Sequence, residues 1–441
     1  MGSSHGHGPA AHRAAGQQVL VPKGSRAILL TTLVAFGVAT VIGLLVLWPD
    51  ADKVDDIGSG VDFAAPGVTF PHARIVSVDP ICPEEVASSE PSSDAPQPAC
   101  VLIRAEVTTG PTRSENVEVP LQGPLAEAEL GAGDSVQLMQ IPGADGEPPS
   151  YVFSGVDRAG VFGWYALAFV VVVGWVARLR GLLARVGLGF SGLVVVRFML
   201  PALLTGESGV AVALVSGSAI MYVVLYLAHG VSIRTSTALA GTLGGIVMTA
   251  ALAESAVRAS NLSGVSDETG ELLTGYVGGL DYPSLLTGAI VIAGLGVLND
   301  VTITQSSAVW ELRSVGPELS RMEIFRSAMR IGRDHIASTI YTIVFAYAGA
   351  ALSVLLLIYL YKLPLLDLLG TEDIGTEVAR TLCSAIGLVL AVPLTTAIAA
   401  STVTKARPAQ ASGPGSSTPP AQEPGADDAA GATDRRAARS R

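Results

Sequence analysis

Eight stretches of this chain are long and apolar enough to be helices through a bilayer, and that constrains it more than anything else. They run roughly over 28–48, 159–177, 187–205, 209–228, 236–257, 284–304, 336–361 and 381–403. About 20 apolar residues at ~1.5 Å rise span a ~30 Å hydrocarbon core. A helix also closes its own backbone hydrogen bonds, which lipid requires. Charged residues make up 15% of the chain, against about a quarter in ordinary soluble proteins. The net charge of -11 argues against a nucleic-acid partner. The sequence therefore predicts a mostly α membrane protein, a polytopic bundle of eight transmembrane helices.

The first run is too long for a cleaved signal peptide, and Trp48-Pro49-Asp50 offers no small-residue cleavage site. It reads as a signal anchor over 28–48, after an N-terminal segment 1–27 with the composition of a disordered cytoplasmic arm. Basic residues then orient the spans. Placing the N-terminus inside puts Arg13, Lys23, Arg26, Arg178, Arg180, Arg185, Arg234, Arg313, Arg321, Arg326, Arg330 and Arg333 on the same side as the tail basic residues. The expected location is a bacterial plasma membrane with both termini cytoplasmic. Low lysine with abundant Ala, Gly and Arg supports the bacterial source. Residues 405–441, rich in Ala, Gly, Pro and Ser, read as a disordered tail. His5, His7 and His12 read as solvated, so no metal site and no cofactor is expected.

Residues 49–157 interrupt the apolar pattern. Alternating runs at 74–78, 100–107, 116–121 and 135–141, separated by turn formers, predict a small extracytoplasmic β domain of barrel or sandwich type. Cys82 and Cys100 flank a low-complexity loop in what would be an oxidising compartment, which makes them a disulfide candidate pair. The alternative is two free thiols. Cys383, in the last span, reads as packing.

Residues 158–404 hold the other seven helices and the candidate pathway. An ionisable group in hydrocarbon is costly and marks a pathway by default. In the sixth span, helical spacing places Gly296, Asp300, Thr304, Ser307 and Glu311 on one stripe, with Asn299 beside Asp300. Asp300 is expected to face the bundle interior. The seventh span offers His335, Ser338, Thr339 and Thr342, and at ~1.5 Å per residue Thr339 sits at the depth of Asp300. A carboxylate beside hydroxyls and an imidazole can bind and release a proton. The competing reading ends the helix at Asp300 near the headgroups, paired with Arg333. Arg197, mid-way along the third span, is expected to pair with an acid across the bundle or to reach an interface. Leu319, Met322, Phe325 and Met329 predict an amphipathic helix on the inner leaflet. The Gly187-x-Gly189-x-x-Gly192 run opens a span and reads as helix packing. With no P-loop, His-Glu-x-x-His or Gly-x-Ser-x-Gly, no enzyme is expected.

The run from Gly294 through Asn299-Asp300-Val301-Thr302-Ile303-Thr304-Gln305-Ser306-Ser307 to Trp310-Glu311-Leu312 resembles the YibE/F family. So do Arg330-Ile331-Gly332-Arg333-Asp334-His335-Ile336-Ala337-Ser338-Thr339 and Ala346-Tyr347-Ala348-Gly349-Ala350. The resemblance covers about 160–403 and implies a bacterial multi-pass membrane protein; it adds architecture more than activity. A weaker similarity is to the proton-driven SecD/SecF protein-export family. There an Asn-Asp pair is followed about three turns later by Glu, as Asn299-Asp300 is by Glu311. Eight spans and Ser307-Ala308 depart from that pattern. The reading that follows is a secondary transporter or export-type permease coupled to protons, its partners the lipid bilayer and a small solute or ion. The alternative is a non-transporting scaffold or sensor whose β domain binds an envelope protein.

Overall fold

The computed structural model describes residues 19, 21–59, 64–80, 100–143, 147–266, 268–362 and 364–403. Helix α1 (Lys23–Val46) is followed by the short α2 (Ala51–Ser59) and then by five strands. These are β1 (His72–Asp79), β2 (Cys100–Val107), β3 (Asn116–Gln122), β4 (Ser135–Ile141) and β5 (Ser150–Val156). All neighbours are antiparallel, in the order β3-β2-β1-β4-β5. Alternation puts Ala73, Ile75, Ile103, Ala105, Val117, Val119, Leu121, Val136 and Leu138 on one buried face. A bulge between Ile75 and Ser77 helps the sheet curl. The four predicted runs correspond to β1–β4. The fifth strand was not predicted, because Val152 on its outer face is exposed and blurs the alternation. Cys100 opens β2, while Cys82 lies outside the described residues.

The curl brings β5 back to the turn before β3. Tyr151 Oη lies 3.0 Å from Thr112 Oγ1 and 3.0 Å from Glu115 Oε2. Burial first, and the Glu115 carboxylate as well, push this phenol above its ordinary range against the lowering effect of Thr112. Its folded-state value is raised, so the stability it contributes is complete below the ordinary tyrosine range, about pH 10, and is lost as pH rises through the higher folded value. Tyr151→Phe is expected to cost about 1 kcal/mol, read as faster hydrogen exchange in β3 and β5.

Helix α3 (Ala159–Val194) breaks at Arg178, whose φ of 52° and ψ of -135° are not helical. Arg185 donates to the carbonyl of Val170, which a straight helix would hold about 22 Å away. The chain therefore doubles back on itself, and the second arm runs on through a π-turn (Val195–Met199) into α4 (Leu200–Leu204). The remaining helices are α5 (Gly209–His229), α6 (Ile233–Ala259), α7 (Glu268–Tyr276), α8 (Tyr282–Val315), α9 (Arg321–Ala350), α10 (Leu352–Tyr361), α11 (Leu365–Leu368) and α12 (Glu372–Thr402). Ser208, Ser232 and Asp281 cap the starts of α5, α6 and α8, and Ser320 with Glu323 forms a capping box on α9.

Seven helices among the described residues are long and apolar enough to cross a membrane: α1, the two arms of α3, α5, α6, α8 and α12. The predicted span at 336–361 is not one straight helix. It is divided between α9 and α10, which meet at a 68° bend at Ala351, after a run of Gly and Ala that offers few side chains to hold the backbone straight. The count of eight holds only if that bent pair is taken as one crossing. The predicted amphipathic helix is also revised. It is the first third of α9, and Ile324 and Ala328 are fully buried against the ends of α8 and α12.

Helices α6, α8 and α12 form the centre of the bundle. Small residues set the α6–α12 contact in antiparallel register: Gly241 against Thr395, Gly245 against Ala391, Thr249 against Gly387. At the opposite end of α12, the Glu372 carboxylate accepts from Ser263 N (2.7 Å), Ser263 Oγ (3.0 Å) and Gly264 N (3.1 Å). It ties the loop after α6 to α12. Glu372→Ala leaves three donors without their acceptor and is expected to cost about 1–3 kcal/mol, measured as a lower midpoint of thermal unfolding.

Candidate functional site: an acid–imidazole pair outside a hydroxyl seam

Asp300 does not face the bundle interior. Its side chain is 69% exposed, and the stripe it shares with Gly296 and Glu311 lies on the outer face of α8. The buried face is on the opposite side of the helix: Gly294, Leu298, Thr302, Gln305, Ser306, Val309 and Arg313. The reason is energetic. Hydroxyls and an amide can satisfy one another in the core, whereas an unpaired carboxylate there costs several kcal/mol.

Helices α8 and α9 come together at Asp300, though the side chain beside it is His335 and not Thr339, the residue matched to it in depth. His335 Nε2 lies 3.7 Å from Asp300 Oδ2, and the imidazole is 30% exposed. That separation is too long for a hydrogen bond. Arg333 is exposed and makes no ion pair among the described residues, so the carboxylate's partner is the imidazole. Thr339, buried one turn further along α9, donates to the His335 carbonyl (2.8 Å), and Thr304 donates to the Asp300 carbonyl (2.8 Å). Asn299 Oδ1 is buried without a partner among the described residues. Thr342 is exposed and bonds back to Ser338 O at 3.2 Å; Glu311 is exposed and remote from the pair. Arg197 is exposed on the π-turn with no ion pair among the described residues, so the expected pairing across the bundle is not made.

Behind the pair runs a seam of buried hydroxyls that the choice of stripe had missed. Thr242 and Thr302 meet at 2.6 Å, and Thr237 and Ser306 at 2.7 Å. Thr396 donates to Gln305 Oε1 at 3.0 Å. Gln305 Nε2, Thr249 Oγ1, Ser384 Oγ and Thr395 Oγ1 are buried without partners among the described residues. The signal for this seam was in the same sequence run, Thr302-Ile303-Thr304-Gln305-Ser306, read from the wrong face. A groove of about 460 Å³ lies in the other half of α8, between Leu200, Leu203, Ala289, Ile292, Ala293, Tyr347 and Arg380. Ala289, Ala293, Gly296 and Asp300 are all exposed on α8 and lie on one line, which runs from this groove to the acid–imidazole pair.

The sequence pattern of the YibE/F-like protein family matches residues 165–405, more than half of the chain. The chain belongs to the YibE/F-like family. The match begins within α3 and takes in α4–α12, and so the paired residues, the seam and the groove all lie on the family's own part of the chain. The α1 helix and the five-stranded sheet precede it. Family membership and the long apolar helices together indicate a membrane protein. No curated protein and no solved structure matches the chain.

Proposed function

We propose that this YibE/F-like protein is a multi-pass plasma-membrane transporter of secondary or export-permease type, with both termini cytoplasmic, in which Asp300 and His335 exchange protons. The observation that carries this reading is the acid–imidazole pair, 3.7 Å apart on two helices. It stands at the end of a line of small exposed residues leading from an apolar groove. Asp300 is 18 residues beyond Tyr282, so about 27 Å along α8, near the inner edge of a ~30 Å hydrocarbon core. The proton would thus be exchanged with the inner solution. The large apolar side chains left uncovered on α1, the first arm of α3 and α10, among them Val34, Trp164, Phe169 and Leu356, suit contact with lipid. The test is Asp300→Asn in proteoliposomes under an imposed pH gradient.

The sheet's own buried core favours a second reading, in which the β domain binds an envelope partner and nothing is transported. Crosslinking from β1–β5 that recovers one stoichiometric protein, with no proton or solute flux from the purified chain, would support it.

A further inference from the structure

Arg313, on the last turn of α8, is 2% exposed, and its guanidinium is only partly used. Nη1 donates to the carbonyls of Pro317 (3.0 Å) and Leu319 (2.7 Å), closing the turn into α9. Nε and Nη2 are buried and have no partner among the described residues. These two N–H groups point the same way in the guanidinium plane and form the side-on fork that receives two oxygens of a phosphate or carboxylate. A buried charge with three of its five N–H donors unmet is strongly disfavoured, so a ligand that met them would bind with a large advantage. The charges near enough to act on Arg313 are those of Arg321 and Glu318, which with Arg313 leave one net positive charge. Around them this end of the bundle is apolar, with Val309, Ile324 and Val403 buried.

We propose that the fork of Arg313 is an oxyanion site at the α8–α9 turn, taking a phosphate group. That group comes either from an anionic lipid headgroup or from inorganic phosphate. Entry is through the turn at 316–320, which Arg313 itself helps to close, and the bound anion locks α8 to α9. The site is separate from Asp300 and stands whether or not the chain transports protons.

The experiment is thermal unfolding of the full chain in detergent, titrated with sodium phosphate against sodium chloride at matched ionic strength. It is repeated in nanodiscs of phosphatidylglycerol against phosphatidylcholine. The expected result is a saturable rise in the unfolding midpoint of the wild type with phosphate or with phosphatidylglycerol. Arg313→Lys, which keeps the charge and loses the fork, should weaken it at least tenfold, and Arg321→Gln by a smaller factor. A rise in detergent with inorganic phosphate assigns a soluble anion; a rise confined to phosphatidylglycerol assigns the headgroup. No rise in the wild type over matched controls overturns the site, as does an equal rise in Arg313→Lys. Should Arg313→Lys not fold, the wild-type titration and Arg321→Gln still decide: a rise that Arg321→Gln weakens supports the site, and a rise that it leaves unchanged counts against it.

Discussion

Gly241→Val should leave no folded bundle to purify. A Cβ at position 241 would lie 2.0 Å from Thr395 Oγ1 and 2.8 Å from Thr395 Cβ, well inside van der Waals contact, so even alanine forces α6 and α12 apart. Overpacking of this kind costs about 1–3 kcal/mol and sometimes more, against a total stability of about 5–15 kcal/mol. Valine adds two further methyl groups in the same gap and displaces both central helices. Gly387→Val is the mirror case, since a Cβ there would lie 2.1 Å from Thr249 Oγ1. The check is the monodisperse fraction after detergent extraction, together with the thermal midpoint. Gly241→Ala combined with Thr395→Gly removes the opposing atoms and should recover most of what Gly241→Ala loses, a non-additivity expected only of residues in contact. A Gly241→Val protein that extracts and melts like the wild type would show that the α6–α12 approach is wrong.

The sequence made some of this legible and hid the rest for physical reasons. Hydropathy runs located α1, both arms of α3, α5, α6, α8 and α12, because a membrane-length apolar run is a strong one-dimensional signal. The α9–α10 bend escaped it, since hydropathy does not register backbone direction and no proline marks the break. Four strands could be read from alternation, whereas in β5 the outward-facing Val152 stands between the core-facing Tyr151 and Phe153 and hides the alternation. Helical depth matched Asp300 with Thr339, whereas His335, one turn away on α9, is the residue that comes beside it. Which face of α8 turns inward did not follow. Two opposite faces of α8, one through Asp300 and one through Thr302 and Gln305, both mix small and polar residues, and only the packing of α6 and α12 chooses between them. Arg313 was read as an ordinary positive residue of an inner loop, for nothing in its neighbours announces that the turn into α9 folds over it.

The second large effect belongs to Asp300. Asp300→Asn is expected to reduce proton flux through reconstituted protein at least tenfold while leaving the unfolding midpoint nearly unchanged. The two readouts separate because of where the residue sits. Its carboxylate is 69% exposed and lies 3.7 Å from an imidazole, a contact beyond hydrogen-bond reach, and even a full ion pair at the surface is worth only about 0–1 kcal/mol to stability. Its removal therefore cannot act by unfolding the bundle. Proton exchange, in contrast, needs a group that ionises, and asparagine keeps the shape without the titration. His335→Gln should give a smaller loss, since the exposed Asp300 carboxylate stays in place and only the second group of the pair is removed. If the two act as one unit, the double variant will be no slower than Asp300→Asn alone. Losses that multiply would mean two independent proton acceptors. Flux followed by a pH-sensitive dye inside vesicles, started by an imposed gradient, distinguishes these outcomes. An Asp300→Asn protein that carries protons as fast as the wild type removes the carboxylate from the mechanism and with it the case for proton coupling at this pair, leaving the buried Thr242–Thr302 and Gln305–Thr396 seam as the place to look.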